Sequence, residues 1–524
     1  MTAQAAVACG HPVTAAAARE ILEDGGNAFD GAIAALWTSA VVEPVLSSLA
    51  GGGFLLARRA EGEAVLYDFF VTTPLRRRPS DDIEFYPILA DFGTATQEFH
   101  IGLGAMATPG MVKGLFAAHA DLASLPMSRL IEPAVRAARQ GVPLRAVDAY
   151  MFGVVSPILI ARPEGRALFT GPDGAMLGRD EILRQPALAD TFEALAAEGE
   201  SLFYQGEIGQ RLVAASREGG GQLDAEDLAG YRLIKRTPLD RRYRDTRILM
   251  NPPPCSGGVL IAFALELLAQ ADLGGLGFGS AEHLALLTRT MTLTNKARVE
   301  AHLQDAVAEA EEAAAAERLF EPSLLARYAA EVHGRPASPR GTTHISVVDA
   351  AGNIAALTVS NGEGCGTILD GTGIMLNNML GEADLNPRGF HAWPEGSRMT
   401  SMMCPTVAYR ADGSMAALGS GGSNRIRTAI LQVLINLIDF GMPIGEAVEA
   451  SRLHVEGGVA NLEAGFDAEA AAAVREHSDQ FIPWPRHNMF FGGVHAVTRG
   501  KDGGAGAAGD PRREGSALVV DADA

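Results

Sequence analysis

Apolar and polar positions recur along the chain with two periods, one near 3.6 residues and one of two, and the changes between them predict its elements. Val13 to Leu22 has helical spacing and stops at Gly25-Gly26, a pair that supplies the positive φ of a helix exit. Asn27 predicts a cap for a second helix through Ala28, Ile33 and Trp37 to Val42, which Pro44 ends. Gly51-Gly52-Gly53 before Phe54-Leu55-Leu56 fits a tight backbone entry into a strand; with no Lys-Ser/Thr after it, a phosphate cradle is disfavoured. Ala64 to Pro74 reads as a strand and its exit, and Pro109-Gly110 as a turn before a helix. Asp305 to Leu319, rich in alanine and glutamate, predicts a solvated helix. Thr428 to Leu437 and Ile444 to Ser451 predict amphipathic helices, and Lys501 to Gly509 a turn between strands or a flexible tip.

The densest signal is Gly341 to Asn353, GTTHISVVDAAGN. Thr342, Thr343, Ile345, Val347 and Val348 are β-branched and favour a strand, which Asp349 to Asn353 closes as a turn. His333 to Gly341 is polar and punctuated by proline and glycine, so it predicts an exposed loop running into a core strand. A threonine at that junction has one special use. If the Gly341–Thr342 bond is cut, Thr342 carries a hydroxyl nucleophile and a free α-amine, whose ordinary pKa of roughly 7.7–8.0 suits a general base. By itself the segment reads rather as the start of an ordinary hairpin strand with an edge threonine.

Composition narrows the classes. The 524 residues are 47% hydrophobic and 20% charged, ordinary for a globular chain with a sizeable core. A formal charge of −20 repels nucleic acid and anionic membrane surfaces, so neither is an expected partner. Cys9, Cys255, Cys365 and Cys404 lack metal-like spacing and predict four buried thiols, with no metal and no cofactor. No apolar run reaches the roughly 18 residues of a spanning helix, and the N-terminus lacks a signal-peptide pattern, so a cytoplasmic location is expected.

The TTHISVVD string resembles the processing site of the γ-glutamyltranspeptidases, members of the N-terminal-nucleophile hydrolase superfamily. The resemblance runs in order through GGNAFDGAIAALWTSAVVEP, SSLAGGGFLL, ATPG, FYQGEIGQRL and NPPPCSGG to the C-terminal region. It implies an α+β fold of the four-layer αββα type, whereas periodicity alone gives only mixed α and β. It also implies self-cleavage into a large subunit, 1–341, and a small one, 342–524, forming one interleaved domain and a heterodimer that pairs further in some arrangements.

Carried onto this sequence, the family pattern makes Thr342 the nucleophile, Ser360 a second hydroxyl beside it, and Gly422 and Ser423 of GSGGSNR the backbone donors to an oxyanion. His344 reads as a satisfied structural histidine. The γ-glutamyl clamp departs from the pattern. Phe70 stands where the family has an arginine; Ser401 keeps one of two serines; Glu382 stands in for an amine-binding aspartate; Asn361 or Glu363 replaces a displaced asparagine. The expected activity is thus γ-glutamyltransferase-like, as in glutathione hydrolysis, on a small amide or peptide. The alternatives are an acylase of the same mechanism acting on another amide, and an uncleaved binding relative.

Overall fold

The computed structural model describes residues 4–91, 96–301, 303, 309–321, 342–386 and 388–521. The loop expected over residues 333–341 lies outside them.

Two antiparallel sheets form the centre. The first has seven strands in the order Ser516–Asp521, Gln4–Cys9, Thr343–Val348, Ile354–Ser360, Gly52–Arg58, Ala64–Asp68, Ile234–Arg236. The second has six, in the order Ala505–Ala508, Gly493–Arg499, Met415–Gly421, Thr406–Arg410, Thr246–Met250, Leu239–Tyr243. Both sheets contain strands from before and after Thr342, so neither sheet is complete without the two halves of the chain.

Two-residue alternation sorts the side chains of the first sheet. Ala6, Ala8, Phe54, Leu56, Val348 and Ala356 meet Val407, Leu418, Val494 and Ala496 of the second sheet in one core. Val7, Leu55, Ile345, Val347 and Leu357 point the other way, onto Phe29, Ile33, Leu36 and Trp37. Those four belong to the Ala28–Val42 helix, which opens on the expected cap: Asn27 Oδ1 accepts from Phe29 and Asp30 N–H, and Asp30 answers to Asn27 N–H. Asp349 sends Oδ2 to Ala28 N–H at 2.9 Å, fixing the turn after Thr343–Val348 to that helix. Val259, Leu260, Ile430 and Leu434, from the Ser256–Leu268 and Arg425–Ile438 helices, join the core on the second sheet's side.

Three expectations need correction. The Glu309–Leu319 helix is not merely solvated, because Ala315, Ala316 and Leu319 are buried in the core. The Arg425–Ile438 helix is buried all round from Arg425 to Asn436. Two of its amides find partners inside: Gln432 donates to the Thr428 and Leu453 carbonyls, and Asn436 to the Ala447 carbonyl. Within 501–509, Ala505–Ala508 is a strand. The four cysteines are free and buried as expected. Among the described residues, no helix is long and apolar enough to cross a membrane.

Candidate active site

The Thr343–Val348 strand pairs with Ile354–Ser360 in a register that sets Thr343 opposite Val359. Continued by one residue, that register brings Thr342 opposite Ser360. Thr342 is buried, 5% exposed. Thr343 turns to the helical side and gives its Oγ1 proton to Glu43 Oε1 at 3.1 Å, and Thr342, just ahead of the strand, lines one chamber with Thr343 and Glu43.

The second sheet closes on Thr342 through GSGGSNR. A Cβ at Gly421 would lie 1.9 Å from the Thr342 carbonyl oxygen, and one at Gly419 2.3 Å from the His344 ring. Only glycine permits these approaches. Beyond Gly421 the backbone takes φ of +120° at Gly422 and +52° at Ser423, then enters the Arg425–Ile438 helix. The N–H groups of Gly422 and Ser423 find no backbone acceptor among the described residues. They sit ahead of a helix N-terminus, a place that favours negative charge. Ser423 is held in its left-handed conformation by Asp384, whose Oδ2 accepts from Ser423 Oγ at 2.5 Å.

Two groups that the sequence did not reveal border Thr342. Arg513 is buried and donates from Nη1 to the Thr342 carbonyl at 3.2 Å. Desolvation holds its pKa below the ordinary value despite Asp510 and Glu43. Glu43 lies on the helical side of Thr343, and burial pushes it up to about 7. Neither was marked by local spacing, and both come from chain segments far from Thr342. His344 is the structural histidine expected: Nδ1 meets Thr358 Oγ1 at 2.7 Å, Nε2 meets Ser346 Oγ at 2.8 Å, and burial keeps the ring neutral.

The residues expected to hold substrate fall into separate places. Ser360, Asn361, Glu363 and Glu382 gather around Gly362, where a Cβ would lie 2.1 Å from Asn378 Oδ1 and 2.7 Å from Glu382 Oε1. Glu363 N–H is fixed by Asn378 Oδ1 at 3.0 Å, and Gly362 N–H by Ser360 Oγ at 3.0 Å. The Asn361 amide is fully buried, and neither its oxygen nor its nitrogen has a partner among the described residues. Ser401 is outside this group: its Oγ accepts from Met403 N–H and its carbonyl from Ser256 N–H, at the start of the Ser256–Leu268 helix. Phe70 is sealed in the inter-sheet core, its ring 5.5 Å from that of Phe54. Its carbonyl accepts from Tyr231 Oη and from Arg398. Arg398 is itself paired with Asp68 at 3.3 Å, and Arg236 takes the other Asp68 oxygen at 2.8 Å. Among the described residues no group of three or more His, Cys, Asp or Glu is arranged for a metal.

The family model of gamma-glutamyltranspeptidase matches residues 14–520. The Acylase ACY 1 proenzyme of Pseudomonas sp. (strain SE83) is 32% identical over 98% of this chain and 93% of its own. The glutathione hydrolase proenzyme of Escherichia coli (strain K12) is 28% identical over 94% of this chain and 88% of its own. Among solved structures, a cephalosporin acylase from Bacillus halodurans superposes with a TM-score of 0.85 over 99% of this chain and 96% of its own, at 22% identity.

Proposed function

We propose that this chain, which belongs to the gamma-glutamyltranspeptidase family, is an amide hydrolase and acyltransferase whose nucleophile, Thr342, is released by self-cleavage. The supporting observation is the convergence on Thr342 of Ser360 across the strand ladder and Gly421 across the sheets, with N–H groups at Gly422 and Ser423 that find no backbone acceptor among the described residues.

In this reading Thr342 Oγ attacks the amide carbonyl, and its α-amine takes the proton and passes it to the leaving amine. Gly422 and Ser423 N–H stabilise the oxyanion, a contribution worth about 3–4 kcal/mol per donor in comparable sites. Water or an amine then accepts the acyl group. Cleavage would yield Met1–Gly341 and Thr342–Ala524, two chains that each supply strands to both sheets and so stay together as a heterodimer. The two sheets with helices on their outer faces would form a four-layer αββα sandwich.

For the donor, a non-γ-glutamyl amide fits best. A γ-glutamyl head group needs a cation for its α-carboxylate, and the expected position holds Phe70, sealed in the core, while nearby Arg398 is committed to Asp68 and two carbonyls. The second reading, γ-glutamyl transfer, draws on the acidic pair Glu363 and Glu382 around Gly362, which suits a substrate ammonium. Assaying γ-glutamyl anilide and glutathione beside simple acyl anilides, with Thr342→Ala as blank, separates them. Turnover of acyl anilides alone supports the first; turnover of γ-glutamyl donors alone replaces it with the second.

A further inference from the structure

Glu43 ends the Ala28–Val42 helix and carries its carboxylate into a chamber lined by Thr342 and Thr343. Oε1 accepts from Thr343 Oγ1, while Oε2 is buried and has no hydrogen-bond partner among the described residues. Gly10 makes room for this, since a Cβ there would stand 2.3 Å from Oε1. A half-satisfied buried carboxylate is unfavourable for folding, so holding Thr343 alone is a poor reason to keep it.

We propose that Glu43 is the proton acceptor for self-cleavage, taking the Thr342 hydroxyl proton through a water in that chamber. This rests on the reading of Thr342 as a nucleophile made by cleavage. Before the Gly341–Thr342 bond breaks, the Thr342 nitrogen is an amide with a delocalised lone pair, so the amine that would serve the mature enzyme does not yet exist. Another base must start the reaction.

Thr342 Oγ bonds to the Gly341 carbonyl carbon, and its proton moves through the water to Glu43 Oε2. The C–N bond then breaks, and the proton returns through the water to the Thr342 nitrogen, leaving an ester and a free amine. A second water adds to the ester carbon, the C–Oγ bond breaks, one of the water's protons goes to Oγ and the other to the Thr342 amine, and Gly341 is left with a carboxylate.

Other titratable groups nearby are less suited to take the proton. Both His344 ring nitrogens are engaged, and burial keeps the ring neutral. His495 Nδ1 accepts from Asp510 N–H, and burial lowers this histidine to about 4. Asp148 is bound on both oxygens by Arg145, with His11 Nε2 3.8 Å away. Glu43 shares the chamber with this pair and with Arg513. Burial raises it most, Arg145, Thr343 and Arg513 pull it down and Asp148 pushes it up, leaving it at about 7. The chamber offers a water the polar partners it needs in Glu43, Arg513 and the two threonines.

The test follows conversion of the full-length chain, made by cell-free translation, into its two products by intact mass from pH 5.5 to 8.5. The unaltered chain should speed up through one ionisation with a midpoint near 7, because the acceptor works only when deprotonated. Glu43→Gln should cleave about 100-fold more slowly or worse and lose that step, whereas Glu43→Asp should recover part of both. A rate in Glu43→Gln within threefold of the unaltered chain, with the same midpoint, overturns the proposal. So does a flat profile for the unaltered chain, which needs no variant to fold. An unaltered chain that never cleaves would instead overturn the functional reading on which the proposal stands.

Discussion

The buried guanidinium of Arg513 hydrogen-bonds the carbonyl oxygen of Thr342 at 3.2 Å, and Arg513 has no ion-pair partner within salt-bridge distance among the described residues. A cation held there stabilises the neutral amine of a cleaved Thr342 over its ammonium and fixes the residue's peptide plane. Arg513→Met should therefore raise the amine pKa by about one unit, moving the acid limb of kcat/KM to higher pH and lowering turnover below it. A pH–rate profile of the cleaved variant measures both effects; an unmoved acid limb would remove the electrostatic role.

The Ser423–Asp384 bond holds a non-glycine residue at φ +52° in the turn that carries the proposed donors. Asp384→Ala leaves that conformation unsupported. We expect kcat to fall about 10- to 100-fold from misplacement of the donors, with KM changed much less. Steady-state kinetics on whichever anilide is turned over checks the split.

How much of this was legible in the sequence depends on the range of the interaction. The Asn27 cap, the Pro44 stop and the strand at Thr343 are set by neighbours in the chain, and local pattern found them. Arg513, Asp384 and Glu43 reach the site from remote segments; Glu43 is 300 residues from the threonine it holds. No spacing rule brings such residues together. The Arg425–Ile438 helix misled for a related reason: Gln432 and Asn436 look solvent-facing in a pattern, but find carbonyl partners inside. Phe70 was legible as a lost arginine, but not as a ring sealed between two sheets.

That burial makes a prediction of its own. Phe70→Arg should not restore γ-glutamyl turnover, because the new guanidinium would enter the core against Phe54 without a free acid to meet it. Destabilisation of about 3–5 kcal/mol is expected from the lost packing and buried charge. Thermal melting beside a γ-glutamyl anilide assay would show a large drop in Tm and no gained activity.

Stability should fall as the solution is acidified from pH 6.5 to 4. Burial lowers His11 to about 3 and His283, His454 and His495 to about 4. In that window the unfolded chain takes up protons at these histidines that the fold refuses, so stability present above pH 6.5 is lost as pH falls through the folded values. Glu43 works in the opposite sense: raised to about 7, it favours the fold below its unfolded value and loses this as pH rises, but it is one group against these four and His344, which burial also lowers. Calorimetric Tm at pH 7.0, 5.5 and 4.5 should decline stepwise. An unchanged Tm would contradict these neutral histidines.

Everything proposed for Thr342 depends on its becoming an N-terminus, and intact mass of the purified protein under denaturing conditions tests this most directly. The expected result is two chains, Met1–Gly341 and Thr342–Ala524, for the unaltered protein, and one 54.9 kDa chain for Thr342→Ala. A single full-length chain for an unaltered protein that nevertheless hydrolyses amides would contradict it.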